Sequence, residues 1–205
     1  MAAYNDIVGL VLAAGLSSRM GEFKPLLPIG GKTLIESAVG SLLDSGVGEV
    51  VVVTGHRAED IEALLAGRPE IRLVRNPNFM QGMFTSVKAG VRAMDDRFSA
   101  FLMMPGDYPN VNPETVGLLC REYREKSPLA VLPSHNGKTG HPALFSLRLK
   151  DEILKSDPPR GMKSILQNHQ SEISIIETGD PGILLDLDNK EDYERALLCV
   201  RREGL

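Results

Sequence analysis

Five apolar runs without polar alternation constrain the fold of this 205-residue chain more than any other feature. They lie at 7–13, 49–54, 71–75, 99–104 and 129–133. Such runs predict strands buried on both faces, as in parallel sheets covered by helices. Helical patterns follow at 33–45, 58–66, 85–94, 113–126, 149–155, 160–169 and 190–203, with one more strand at 172–177. This alternation predicts one α/β domain over 1–205, with a doubly wound, mostly parallel sheet and helices on both faces.

Charge and hydropathy exclude several classes of protein. The formal net charge of -4 and a pI near 5.6 give no overall basic field, so we expect no nucleic acid as partner. No apolar run approaches the roughly 18 residues of a membrane span, and the first residues lack a basic targeting region. We therefore expect a cytoplasmic protein with no membrane contact. Cys120 and Cys199 stand far apart and are interpreted as packing residues.

The segment after the first apolar run is rich in small residues. Ligands of open α/β sheets bind beyond the carboxyl ends of the strands, and small residues there let backbone N–H groups approach a polyphosphate. Arg19 and Lys24 would neutralise its charge. The segment matches neither the Walker A nor the Rossmann glycine pattern, and a solvated Gly/Ser turn is the alternative. The predicted nucleotide-binding residues here are Leu12, Ala13, Ala14, Gly15, Ser17, Ser18, Arg19 and Lys24.

Several long motifs resemble one known family. The string LAAGLSSRMGEFKPLLPIGGKTLIE is similar to the signature of the MobA-like nucleotidyltransferases. Its LAAG and KPLLP motifs resemble those of the molybdenum cofactor cytidylyltransferase branch. Four further strings extend the likeness over nearly the whole chain: NPNFMQGMFTSVKAG, MPGDYPNV, GHPALF and DLDNKEDYERAL. The resemblance implies a Rossmann-like fold of the nucleotide-diphospho-sugar transferase type. It also implies a nucleoside triphosphate, Mg²⁺, a phosphorylated acceptor and release of pyrophosphate.

Two aspartates are the predicted metal ligands. Asp107 follows an apolar run in a Gly-Asp-x-Pro turn, at the carboxyl end of a strand, and is also a predicted nucleotide-binding residue. Mg²⁺ commonly takes one or two carboxylates together with substrate phosphates. Asp188 is the second candidate, in a run where the family usually shows Asp-x-Asp-Thr-Pro-Glu-Asp. Capping of the last helix is the alternative role for Asp188, and sequence does not rank it against Asp186.

Weaker signals lie in two other loops. By resemblance the segment 76–86 faces the nucleotide, and we predict contacts from Gly82 and Ser86, although helix capping by Thr85 or Ser86 is the alternative. His141 and Lys138 are predicted to bind the acceptor, with Arg160 and Gly161 extending that surface. His56, His135 and His169 are not assigned to the site.

The predicted catalytic residues are Arg19, Lys24 and Asp107. They would align and neutralise phosphates without a covalent intermediate. The leading hypothesis is CMP transfer from CTP to molybdopterin, with CTP favoured by resemblance alone, and transient contact with a molybdoenzyme or its chaperone. GTP as donor, a sugar or alcohol phosphate as acceptor, and a non-catalytic nucleotide- or cofactor-binding protein stay as alternatives. The oligomeric state is left open.

Overall fold

The structure is a computed structural model that describes residues 3–18 and 20–202, with the side chains of 198–202 left out. Within these residues ten strands and seven α-helices occur. The strands are β1 Ile7–Ala13, β2 Pro28–Ile29, β3 Lys32–Thr33, β4 Val50–Thr54, β5 Ile71–Arg75, β6 Ala100–Pro105, β7 Ala130–His135, β8 Lys138–Thr139, β9 Ala143–Ser146 and β10 Ile173–Glu177. The helices are α1 Leu34–Asp44, α2 Ala58–Leu65, α3 Met83–Arg92, α4 Pro113–Lys126, α5 Lys150–Lys155, α6 Met162–Asn168 and α7 Lys190–Arg202.

The main sheet has the strand order β10-β7-β9-β6-β1-β4-β5, and β8 pairs with β7. The chain moves outward from β1 through β4 to β5, then returns to place β6 on the other side of β1. All four of these strands are parallel, so the predicted doubly wound, mostly parallel α/β fold is confirmed. The order reverses between β1 and β6, and the crevice at such a reversal is where α/β sheets bind ligands.

Strand β9, which the sequence pattern does not predict, lies antiparallel between β6 and β7. Its residues belong to a Gly/His/Pro segment without a clear period, although all four are buried. Phe145 of β9 stacks on Phe101 of β6 with ring centroids 5.4 Å apart. Packing of one short strand between two longer ones therefore outweighs its weak local signal.

Helices cover both faces of the sheet. One core joins the sheet to α1, α2 and α4, and a second joins it to α3, α5 and α6. Cys120 of α4 is fully buried in the first core, as predicted for a packing residue, whereas the side chain of Cys199 lies outside the described part. No helix among the described residues is both long and apolar enough to span a membrane.

A small hairpin, β2 and β3, links the sheet to the last helix. Its turn is Gly30-Gly31, both with positive φ, as a tight two-residue hairpin turn requires. Thr33 then caps α1 in a reciprocal capping box with Glu36. The hairpin, α1 and α7 share a third hydrophobic cluster that includes Ile29, Leu187 and Ala196. Packing on the hairpin brings the segment before α7 toward the carboxyl ends of β1 and β6.

Candidate active site

A cavity of about 240 Å³ opens at the carboxyl ends of β1 and β6, beside the start of α3. Eight of the predicted nucleotide-binding residues line it: Leu12, Ala13, Ala14, Gly15, Ser17, Lys24, Ser86 and Asp107. Ser18 lines a smaller hollow of about 190 Å³, which it shares with Ser17, Lys24 and Asp188. Arg19 lies outside the described residues. The cavity, hereafter the nucleotide cavity, therefore occupies the crevice at the reversal of strand order.

The loop after β1 is held by its own side chains. Ser17 adopts a positive φ of 54°, and its Oγ accepts a hydrogen bond from the backbone N–H of Lys24 at 3.1 Å. The carbonyl of Ser17 also accepts from the N–H of Met20 at 3.1 Å. These bonds fold the loop back, so that both Gly15 and Lys24 line the cavity.

Lys24 brings the two predicted metal carboxylates together. Its Nζ lies 3.3 Å from Oδ2 of Asp107 and 3.1 Å from Oδ1 of Asp188. The Lys24 side chain is 11% exposed, against 24% and 43% for Asp107 and Asp188. One shared ammonium means that the two carboxylates lie close enough to share one cation.

A different residue caps the last helix. The backbone N–H of Asp192 donates to Oδ1 of Asn189 at 2.9 Å, which is the bond expected at the N-terminus of α7. The capping role considered for Asp188 thus belongs to its neighbour Asn189. The carboxylate of Asp188 lies instead against Lys24.

Residues 180–188, here called the strap, place Asp188 beside the turn that follows β6. The carbonyl of Ile183 accepts from the N–H of His141 at 2.9 Å, and the N–H of Leu187 donates to the carbonyl of Asp107 at 3.3 Å. Contact at Gly140 is so close that an added Cβ would lie 2.1 Å from the carbonyl oxygen of Ile183. The strap is therefore seated on both the β6 turn and the segment before β9.

Asp186 lies on the strap between Leu185 and Leu187. Burial raises the pKa of Asp186, and the negative charge of Asp188 raises it further. The ammonium of Lys24 hydrogen-bonds to Asp188 and Asp107, and this shared cation favours Asp188 over Asp186 as the partner of Asp107.

The residues present fit a hard divalent cation. Two carboxylates converge on one positive charge beside a cavity of polyphosphate size, and Mg²⁺ takes such a pair with substrate oxygens and water as its remaining ligands. Across the described ranges, no cluster of three His, Cys, Asp or Glu side chains forms a metal cage. Such a site would thus depend on the nucleotide to complete it.

Asn76 organises the loop before α3. This buried side chain donates from Nδ2 to the hydroxyls of Thr85 and Ser86, each at 2.9 Å, and accepts from the N–H of Asn78 at 2.9 Å. Gly82, with φ 111°, is the N-cap residue of α3, so neither hydroxyl caps the helix in the manner considered from sequence. Ser86 is thereby fixed at the wall of the nucleotide cavity.

A larger cleft of about 860 Å³ lies on the other side of α3. Met83 lines both openings, so the two are adjacent. Predicted residues that line the cleft are His141, Gly82, Arg160 and Gly161. Lys138 is exposed in β8 and is not among the described residues that line the cleft, whereas its neighbour Thr139 is. We refer to this opening as the acceptor cleft.

Two rings meet where the acceptor cleft approaches the carboxylates. Tyr108 and His141 make an edge contact with centroids 5.1 Å apart. Burial lowers the pKa of His141, so its imidazole is neutral at pH 7. Burial raises the pKa of Tyr108, and the charges of Asp186, Asp107 and Asp188 raise it further, so its phenol keeps its proton. Both rings therefore offer neutral hydrogen-bonding groups to a ligand.

Several residues that line the two openings were not assigned to the site from the sequence. Phe79 and Met83 line the nucleotide cavity, and Tyr108 lines the acceptor cleft. The position of Tyr108 directly after Asp107 was a usable signal, because successive residues of a turn face different spaces. His56, not assigned to the site, packs its ring 5.6 Å from Phe23 and 6.4 Å from Phe79, which makes it a support of the cavity wall.

The chain is similar to curated proteins over nearly its full length. It is 30% identical to the molybdenum cofactor cytidylyltransferase of Escherichia coli, over 90% of this chain and 92% of that protein. It is also 29% identical to nicotine blue oxidoreductase of Paenarthrobacter nicotinovorans, over 93% and 96%. Relatives at this level thus carry names of different activities.

Solved structures share the fold. A nucleotidyl transferase from Methanothermobacter thermautotrophicus is 27% identical, with a TM-score of 0.82 over 97% of this chain and 99% of that one. The complex of Rv0371c from Mycobacterium tuberculosis with manganese is 21% identical, with a TM-score of 0.77 over 96% and 100%.

A family model decides the classification. The model of the MobA-like NTP transferase domain matches residues 9–173, which include the loop after β1, Asp107 and the segment 76–86. The chain belongs to the MobA-like NTP transferase family and is a nucleotidyltransferase.

Proposed function

We propose that the protein transfers CMP from CTP to molybdopterin, with Mg²⁺ and with release of pyrophosphate. The observation that carries the proposal is the convergence of Asp107 and Asp188 on Lys24 at the nucleotide cavity. Similarity to the E. coli cytidylyltransferase supports CTP and molybdopterin as the substrates. Contact with a molybdoenzyme or its chaperone, and a cytoplasmic location, stay predictions.

The bond changes of the proposed reaction are simple. An oxygen of the acceptor phosphate attacks the α-phosphorus of the nucleotide and forms a new P–O bond. The bond from the α-phosphorus to the bridging oxygen breaks, and pyrophosphate leaves with that electron pair. Such a displacement requires alignment and charge neutralisation rather than a protein nucleophile.

The side chains divide the work of binding. Asp107 and Asp188 would hold Mg²⁺, which supplies positive charge to the phosphates. Lys24 would turn its ammonium from these carboxylates to the leaving pyrophosphate, and the loop from Ala13 to Ser17 would offer backbone N–H groups. Arg19 stays a predicted partner of the phosphates. Ser86, fixed by Asn76, would contact the nucleoside.

The acceptor cleft favours a bulky acceptor. A space of about 860 Å³ lies in the range of sites for drug-sized ligands and exceeds what a small alcohol phosphate needs. Its wall combines apolar side chains with hydrogen-bonding groups from Tyr108, His141, Gln167 and Gln170. A fused heterocycle with several polar edge atoms matches this combination.

The test is pyrophosphate release with Mg²⁺ and each of CTP, GTP, ATP and UTP, with and without molybdopterin. We expect release only with CTP and acceptor together, abolished in Asp107→Asn. Asp60→Asn is the matched control, because this exposed aspartate of α2 pairs with Arg57 and is not among the described residues that line either opening. Release with GTP would reassign the donor, and magnesium-independent nucleotide binding without release would support a binding protein instead.

A further inference from the structure

Asp180, at the start of the strap, makes hydrogen bonds with both carboxylate oxygens. Its Oδ2 accepts from the N–H of Asn112 at 3.0 Å and from the hydroxyl of Thr115 at 2.8 Å. Its Oδ1 accepts from the N–H of Gly182 at 2.8 Å. Asp180 is not among the described residues that line the nucleotide cavity or the acceptor cleft.

These partners connect two separate segments of the chain. Asn112 caps α4 and ends the short loop that begins at Asp107, while Gly182 belongs to the strap that ends at Asp188. Asp180 thus connects the loop that contains Asp107 to the strap that contains Asp188. Its negative charge at the N-terminus of α4 adds a favourable interaction with the helix dipole.

The backbone of the strap packs closely against the Asp107 loop, which restricts movement of one relative to the other. A Cβ added to Gly182 would lie 2.1 Å from the carbonyl oxygen of Asn110, so the strap lies directly against the Asp107 loop. Ile183 and Leu187 of the strap are 0% and 2% exposed. A shift at Asp180 would therefore be transmitted along the strap to Asp188.

We propose that Asp180 is a positioning residue that sets the separation of the metal-binding carboxylates Asp107 and Asp188. The proposal rests on the metal site of the proposed function. Asp180 acts through hydrogen bonds to the segments that carry the two ligands. Loss of a partner bonded directly to a metal ligand typically lowers metal affinity about 10- to 100-fold, which sets the upper limit for this indirect effect. Its removal should weaken metal binding without changing the nucleotide cavity itself.

Three variants test the proposal: Asp180→Ala, the milder Thr115→Val, and Asp95→Ala as control. Thr115→Val removes one donor to Asp180 at a buried position. Asp95→Ala removes an ion pair with Arg72 in the turn before β6, whereas the strap contacts the turn after β6. Mn²⁺ binding in the presence of CTP is followed by the EPR signal of free Mn²⁺, beside thermal denaturation and pyrophosphate release.

We expect Asp180→Ala to weaken Mn²⁺ binding by up to about tenfold, and Thr115→Val to weaken it less. Asp95→Ala should lower only the melting temperature. Unchanged Mn²⁺ affinity in both strap variants, or equal loss in the control, would overturn the proposal. If Asp180→Ala fails to fold, Thr115→Val decides by itself.

The readouts separate this proposal from the proposed reaction. A wild-type protein that binds Mn²⁺ with CTP but releases no pyrophosphate would refute CMP transfer, and the Mn²⁺ comparison would still test Asp180. A wild-type protein that binds no Mn²⁺ would refute the metal site and the role of Asp180 together.

Discussion

Replacement of Lys24 by methionine should strengthen binding of the metal and suppress turnover. The substitution keeps the length of the side chain and removes the ammonium shared by Asp107 and Asp188, at 3.3 and 3.1 Å. The two carboxylates then repel one another without that charge. A divalent cation relieves the repulsion, so Mg²⁺ alone should raise the melting temperature of the variant more than that of the wild type.

The contacts set the size of the effect. A hydrogen bond between charged groups contributes about 1.5–3 kcal/mol when buried, and an exposed ion pair contributes under about 1 kcal/mol. Asp107 and Asp188 are partly exposed, so we expect the metal-free variant to lose about 2–3 kcal/mol in all. For a chain of this size the loss lowers the melting temperature by about 5–10 °C. Turnover should fall about 10²- to 10³-fold, as for removal of one group that stabilises transition-state charge.

Thermal denaturation with and without Mg²⁺, beside pyrophosphate release, measures both effects. Lys32→Met is the matched control, because this exposed lysine of β3 carries the same charge away from the carboxylates. The control should change neither quantity. A Mg²⁺-induced rise in Lys24→Met that is equal to or smaller than that of the wild type would refute the reasoning, as would normal turnover.

Three further predictions follow from other contacts. Asn76→Ala removes three hydrogen bonds, one of them buried and two partly buried, and should lower stability by about 2–4 kcal/mol while raising the KM for the nucleotide. An unchanged KM would contradict the link from Asn76 to Ser86. Asn189→Ala should cost about 1 kcal/mol of stability through loss of the α7 cap, and the Mg²⁺ concentration needed for turnover should not change. Asp188→Asn should instead raise the Mg²⁺ concentration needed for turnover. Equal Mg²⁺ requirements in the two variants would show that the roles are not divided. Burial raises the pKa of Cys120 from 9.0 to about 12. Between these pH values the thiol ionises in the unfolded chain but not in the folded protein, so the free energy of unfolding should decline as the pH rises from 9 toward 12. Mass spectrometry after alkylation at pH 8 should find Cys120 labelled only in the unfolded protein, and rapid labelling of the native protein would count against this.

Much of the fold followed from hydrophobic pattern. Runs buried on both faces identified the parallel strands, because helices on two sides leave no solvent face to alternate. The same logic failed for β9, whose four residues are too few to show a period. Its place in the sheet depends on β6 and β7, which are distant in sequence. Such a strand is specified by tertiary contact rather than by its own residues.

The candidate site shows a similar division. The loop after β1 and Asp107 were predictable, because each directly follows a strand at the ligand-binding edge of the sheet. The respective roles of Asp188 and Asn189 were not, because both residue types favour helix caps and only the direction of each side chain separates them. Phe79 and Met83 line the nucleotide cavity because of how the chain folds at the start of α3, which the local sequence pattern does not encode.

The strap also has a consequence for the order in which the protein is made. Asp188 lies 164 residues after Lys24, and the strap follows β10, the last strand in sequence among the described residues. A growing chain that already contains β1, β6 and their loops lacks the second carboxylate. Pairing of Asp188 with Lys24 therefore requires synthesis of the whole segment from residue 24 to residue 188, and a chain cut before the strap would retain the phosphate loop without the complete ligand pair.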